Sequence, residues 1–366
     1  MTATTSDRLT LFRYLAVLAA LVTAMALLPG ASVSQAQTGP GDLSDACPIE
    51  PSESGFTDRA AIPEVHRANV DCAAEFDIVV GFEDNTYRPR LPVRRDQMAS
   101  FIALTLDAAG VTLPAVQSGR FTDVPDSNVH SDNINRLAAA GIVEGAPLDL
   151  GPNEYGPALR TRRDQMASFI VRAAGYAFAD DVDAFDSSTQ GFTDVPSGNV
   201  HFEKVNAAAA NGLAQGTGGN LFSPRLATTR DQMASFVVRL LNFLAVPTDV
   251  DVIAPQTATV GETATATATV TSQFGQPLAG AQVQFAATAS APVLPPTAET
   301  QTTNAAGEAG FDFTSLTPQT VTVTATIGAP GGNFAAGGAS DSAQTRFVAP
   351  AVSSVSLLDR DDGDAG

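Results

Sequence analysis

Six residues, Asp-Gln-Met-Ala-Ser-Phe, occur three times without a change, at 96–101, 164–169 and 231–236, spaced 68 and 67 residues apart. Copying at a near-fixed period means one supersecondary unit used three times, with each copy burying its apolar face against the others. An arginine precedes every copy: Arg95, Arg163 and Arg230. The residue before that is Arg94, Arg162 or Thr229.

Aligned on that hexapeptide, the three units share an order of landmarks. Each opens with Phe-Thr-Asp (Phe56-Thr57-Asp58, Phe121-Thr122-Asp123, Phe192-Thr193-Asp194), and the second and third continue into Val-Pro. Nine or ten residues after the Phe stands one of the chain's three histidines, His66, His130 or His201. From each histidine, apolar residues recur at helical spacing: Val70, Ala73, Ala74, Ile78; Ile134, Leu137, Ala138, Ile142; Val205, Ala208, Ala209, Leu213. One amphipathic helix per unit is expected there. Gly81, Gly145 and Gly216 suit its C-cap or the turn beyond. An aromatic and a proline two apart follow (Tyr87 and Pro89, Tyr155 and Pro157, Phe222 and Pro224), and the hexapeptide then starts a second helix. Its Met, Phe and Ile/Val lie at i, i+3, i+4, which reads as a core face.

These motifs, in this order and three times over, resemble the S-layer homology domain across about residues 55–246. The resemblance implies a spindle of three prongs, a helical pseudo-trimer, whose inter-repeat grooves hold an anionic secondary cell-wall polymer, often pyruvylated. It carries the family's binding arginine onto Arg95, Arg163 and Arg230, with Arg94, Arg162, Asp58, Asp123 and Asp194 as further polymer contacts. The sequence departs from the family in four respects: Arg94 and Arg162 stand where the first two units should have the capping Thr, the first unit reads Asp58-Arg59-Ala60 in place of Asp-Val-Pro, and two further motifs differ. Gln97, Gln165 and Gln232 replace its Glu, and Arg67, Ser131 and Phe202 stand where a Trp usually follows the His.

The local chemistry runs the same way. Thr229 and Gln232 have the spacing of a capping box, which puts Arg230 in the first helical turn. A cation there opposes the helix macrodipole, so it does not serve the helix. Free N–H groups with a forked guanidinium would make an anion site. The alternative is a structural bridge from each arginine to a neighbouring carboxylate.

From about 247 the periodicity changes to two, as at 263–270, where Thr alternates with Ala and Val. Further strands are expected within 283–285, 299–303, 311–314, 320–326 and 343–348, with a turn at 304–307. This pattern makes an all-β sandwich. The run Gly275-Gln276-Pro277-Leu278-Ala279-Gly280 leading into Val283 and Phe285 resembles the bacterial immunoglobulin-like domains of invasin and intimin. That resemblance implies a stalk.

Arg8 and Arg13 precede a fourteen-residue apolar run at 15–28, then Pro29-Gly30 and small residues at 34–36. That is the layout of an export signal, and the run is shorter than the ~20 residues of a membrane span. With Cys47 and Cys72 the only cysteines, export favours a disulfide between them over free thiols. A net charge of -19 excludes nucleic acid and anionic membrane as long-range partners.

The expected layout is a signal peptide (1–36), a lead-in (37–54), repeats at 55–109, 119–177 and 190–246, the β-sandwich (247–348) and an acidic, disordered tail (349–366). No metal or other cofactor is expected. The histidines suit packing, and Asp180, Asp181, Asp183 and Asp186 read as solvated linker before calcium ligands. The chain is therefore expected to be a non-catalytic, secreted cell-wall protein with no membrane span once mature. An adhesin, or a fragment of a wall-anchored glycan hydrolase, are the alternatives.

Overall fold

The computed structural model describes residues 46–48, 50–145, 150–151, 153–179, 181–295, 298–330, 332–333 and 338–351. The expected signal peptide, Asp180 and nearly all of the acidic tail lie outside the described residues. Six α-helices come first: α1 (Glu64–Glu75), α2 (Arg95–Ala108), α3 (Ser131–Ala139), α4 (Arg163–Ala179), α5 (Phe202–Ala210) and α6 (Arg230–Phe243). Each unit thus supplies a short helix and a longer one. Met98, Met166 and Met233, with the Phe and Ile/Val that follow them, are buried in a single core. The short helix of one unit packs on the long helix of another: α3 on α2, α5 on α4, and α1 on α6. The last contact joins the third unit back to the first.

The short helices end six residues before Gly81, Gly145 and Gly216, so these glycines are not C-caps. The left-handed residues after the helices are Asp77, Gly141 and Gly212. Gly81 and Gly216 are small for another reason. A Cβ on Gly81 would lie 2.8 Å from Phe56 Cε1, and one on Gly216 would lie 2.9 Å from Phe192 Cε1 and 2.6 Å from the Leu221 carbonyl oxygen. The opening Phe of each of these two units therefore leans on a glycine.

Cys47 and Cys72 form a disulfide, with Cα atoms 5.9 Å apart, that ties the lead-in to α1. Only three residues separate α6 from the first strand.

Nine strands follow: β1 (Pro247–Ile253), β2 (Thr257–Thr259), β3 (Ala264–Ser272), β4 (Gln282–Thr288), β5 (Val293–Leu294), β6 (Glu299–Thr302), β7 (Glu308–Ser315), β8 (Gln319–Ile327) and β9 (Ser340–Val348). One sheet has the order β1-β3-β7-β5, the other β2-β9-β8-β4-β6. All pairs are antiparallel except β2 with β9. Along β3, Ala264, Ala266, Ala268 and Val270 face inward, as the period-two pattern requires. Phe285, Phe311 and Phe313 stack between the sheets, Phe347 meets Phe313 edge-on, and the four anchor a core separate from that of the helices. The two parts meet at Gln273, whose Nε2 donates to the carbonyls of Ala109 and Leu244 and whose Oε1 accepts from Val246 N.

Candidate functional site in the clefts between the repeats

The segments that enter the three long helices meet one another. Val93 N donates to Thr228 O, Thr228 N to Thr161 O, and Thr161 N to Val93 O, each at 2.9 Å. These three bonds form a closed ring among buried residues. The next two residues extend each contact. Arg95 N and Asp96 N donate to Leu159 O and Pro157 O, Arg163 N and Asp164 N to Leu226 O and Pro224 O, and Arg230 N and Asp231 N to Leu91 O and Pro89 O. The following N–H, of Gln97, Gln165 or Gln232, goes to the carboxylate of the preceding Asp at 2.8 Å. The first three donors of each long helix are therefore already engaged. This corrects the expectation of free helix-terminal N–H groups awaiting an anion.

Arg95, Arg163 and Arg230, expected to offer forked guanidinium groups to a polymer, are instead largely buried and bonded to carbonyls of the protein. They are 3%, 5% and 5% exposed. Arg95 donates from Nε to Tyr155 O (2.9 Å) and from Nη2 to Glu144 O (3.3 Å). Arg163 reaches Phe222 O (2.8 Å) and Gln215 O (2.9 Å) in the same way. Arg230 reaches Tyr87 O (2.7 Å) and Val80 O (2.9 Å). Each guanidinium also lies over aromatic rings, as Arg95 does over Tyr155 and Phe169. Tyr155 and Tyr87 return the contact by donating to Arg95 O and Arg230 O. Their partners are carbonyl dipoles rather than carboxylates, so the structural bridge has a different acceptor from the one the sequence suggests. Burial lowers the pKa of all three arginines.

Asp58, Asp123 and Asp194 are likewise committed to the fold. Each carboxylate accepts from two consecutive backbone N–H groups: Tyr87 and Arg88, Tyr155 and Gly156, Phe222 and Ser223. The second residue of each pair is left-handed, which aims both donors at one carboxylate. These loops are the ones whose carbonyls receive the arginines, so the aspartates set the acceptors. Asp123→Asn leaves one acceptor for two donors and should lower stability by about 2 kcal/mol, read from urea unfolding. Arg94 and Arg162, also expected to touch polymer, each fork onto the Asp two residues on, Asp96 or Asp164. Their side chains remain partly exposed. In the third unit the Thr229 hydroxyl binds Asp231 instead, while Gln232 Oε1 accepts from Thr229 N.

The histidines stand between units. Nδ1 of His130, His201 and His66 meets the hydroxyl of Ser100, Ser168 and Ser235 at 2.7, 2.8 and 2.7 Å. Burial is the largest influence on each ring and lowers its pKa. The fold therefore favours neutral imidazole. Its contribution is complete above the ordinary histidine value of about 6.5 and is lost as pH falls below it, because the unfolded chain takes up protons first. Unfolding midpoints should fall between pH 7.5 and 5.5, and fall less in His130→Asn. A flat profile would contradict this packing role.

Lys204, the chain's one lysine, pairs with Asp183 and Asp186 at 2.6 and 2.5 Å. Two of the four acidic residues read as solvated linker thus balance a buried ammonium. Among the described residues no cluster of His, Cys, Asp or Glu could hold a metal ion.

Two cavities open between units. The larger, about 810 Å³, is bordered by Arg162, Arg225, Asp164 and Asp194 and so mixes both charges. The smaller, about 400 Å³, is bordered by Arg163, Arg239, His66, Gln215, Gln232 and Ser235. None of the described residues lining it is acidic. Burial, and secondarily Arg163, push Arg239 down to about 10. Arg239 donates to Gln215 Oε1 and makes no ion pair among the described residues. Sequence reasoning missed Arg239. The signal was its place four residues after Ser235, matched by Arg172 after Ser168 but by Leu104 after Ser100.

Comparison with known proteins follows these divisions. Residues 55–99 and 191–234 match the S-layer homology domain, and residues 250–348 match the bacterial Ig-like domain (group 1). Over 173 residues, 47% of this chain, it is 28% identical to "Exoglucanase XynX" of Acetivibrio thermocellus and spans 15% of that protein. Over the same length it is 27% identical to "Amylopullulanase" of Thermoanaerobacterium thermosulfurigenes and spans 9% of it. Among solved structures, invasin, titled a bacterial integrin-binding protein, is similar over 28% of this chain and 19% of its own (25% identity, TM-score 0.23). The D00-D0 domain of intimin is similar over 27% and 46% (24% identity, TM-score 0.21). The chain carries two S-layer homology domains, at 55–99 and 191–234, and one bacterial Ig-like domain of group 1, at 250–348.

Proposed function

We propose that this is an exported, non-catalytic envelope protein whose helical repeats grip an anionic secondary cell-wall polymer and whose β-sandwich is a spacer. The unmatched middle unit, 119–177, is read as a third S-layer homology repeat, because it makes the same arginine, aspartate and histidine contacts as its neighbours. The three then form a pseudo-trimer around the ring of backbone bonds. One observation carries the reading. In a chain of net charge -19, a cleft between units holds Arg163 and Arg239 with no carboxylate among its described lining residues. Guanidinium groups in a partly dehydrated cleft favour a carboxylate-bearing ligand.

The relatives are named as glycan-degrading enzymes, but the shared stretch is a small part of each of them. We assign it the attachment role. The test is sedimentation of the full chain with isolated wall sacculi before and after the secondary polymer is extracted. Binding should vanish on extraction. Equal binding to both would defeat the reading.

A further inference from the structure

The three clefts are built on one plan but carry different charges. In each, a long-helix arginine donates to the carbonyl of one residue in the following unit: Gln215 for Arg163, Glu144 for Arg95, Val80 for Arg230. At the position four after the serine stand Arg239, Arg172 and Leu104; the Gln215 side chain meets Arg239 and the Glu144 side chain meets Arg172. The residues at the two positions are thus Gln and Arg, Glu and Arg, and Val and Leu. In the second cleft Glu144 and Arg172 form an ion pair at 3.3 Å. In the third these two positions are apolar, and the second arginine acting on Arg230 is Arg88, which pairs with Asp84 at 3.0 Å. Only in the first does Arg239 meet a neutral side chain, Gln215 Oε1 at 2.9 Å, beside a buried Arg163.

Arg163 is fixed by two carbonyls and cannot turn away from Arg239. An anion between them relieves their repulsion, because Asp194, the carboxylate that acts on Arg163, is held by the N–H groups of Phe222 and Ser223. Val65, exposed at the same cavity, offers an apolar surface of the kind that meets the C–H face of a sugar ring.

We infer that the cleft between Arg163 and Arg239 is the one anion-binding groove of the three, that it takes an acidic sugar unit of a polysaccharide, and that Arg239 with Gln215 determines this selectivity. The inference rests on the wall-polymer reading above and adds the choice of groove.

The test uses the full chain and calorimetric titration with short oligomers of the acidic polysaccharide released from isolated sacculi. One oligomer should bind per chain. Arg239→Gln should weaken binding at least tenfold, and Arg172→Gln should leave it within twofold. Gln215→Glu gives the first cleft the charge pattern of the second at an exposed position where folding is not at stake, and it too should weaken binding at least tenfold. Three equal sites on the wild-type chain, or equal losses in Arg239→Gln and Arg172→Gln, would overturn the inference and leave the wall-polymer reading standing. No binding by the wild-type chain would remove that reading, and the inference with it.

Discussion

Arg230→Ala should destabilise the helical region by about 3 kcal/mol, since one buried and one half-buried carbonyl each lose a charge-assisted donor. The residues concerned are far apart in sequence. Arg230 opens the last helix, while its acceptors, the carbonyls of Tyr87 and Val80, belong to the first unit. Tyr87 donates back to Arg230 O at 2.6 Å, and the guanidinium lies 4.6 to 5.7 Å from the ring centroids of Tyr87, Phe82 and Phe101. Alanine would empty that space and open the contact that closes the third unit on the first. Such a loss is a large share of the ~5–15 kcal/mol that stabilises a typical domain. Arg230→Lys should lose less, because an ammonium keeps the charge but not the planar fork. Urea unfolding of the two variants reads the difference, and a midpoint unchanged in Arg230→Ala would contradict the structural role. Removing all three arginines together would therefore test folding before it tested binding, which is why Arg239 and Gln215 are the better probes of a ligand.

The second large effect concerns Cys47 and Cys72. Their bond closes a loop with a sequence separation of 25 residues, and its loss should cost roughly 3 kcal/mol by relaxing the unfolded chain. Both cysteines are fully buried, so reductant reaches the bond only when the lead-in or α1 opens. Thermal unfolding with and without reductant should differ in midpoint, and Cys72→Ala should match the reduced protein. Coincident transitions would show that the bridge contributes nothing.

What could be read in the sequence was whatever the chain repeats locally. The Met-x-x-Phe-Ile face of each long helix, the stripe after each histidine and the Thr-Ala alternation of β3 depend on neighbours within a few residues. The direction of Arg230 does not. It is set by carbonyls 143 and 150 residues away, in loops shaped by Asp58 and its counterparts, and no local pattern records that closure. The state of the helix N-termini is hidden from local sequence for the same reason, since their first donors are taken by the aromatic-x-Pro loop of another unit. In the sandwich, β5 has two residues, too short for any periodicity. β1 opens on Pro247, a residue tolerated at the start of a strand but a poor signal for one. Arg239 escaped notice because its counterparts are Arg172 and Leu104, and alignment of repeats draws attention to what they share. The distinctive charge of one groove lies in what they do not share.

Attachment, as proposed, is read through negative charge on the wall polymer. Displacement tests it most directly: the full chain bound to sacculi, challenged with soluble extracted polymer in its native form or with its carboxyl groups chemically reduced to alcohols. The native polymer should release the chain, and the reduced one should leave it bound. Equal release by both would mean that the grip does not depend on the anion, and the role given to Arg163 and Arg239 would fall.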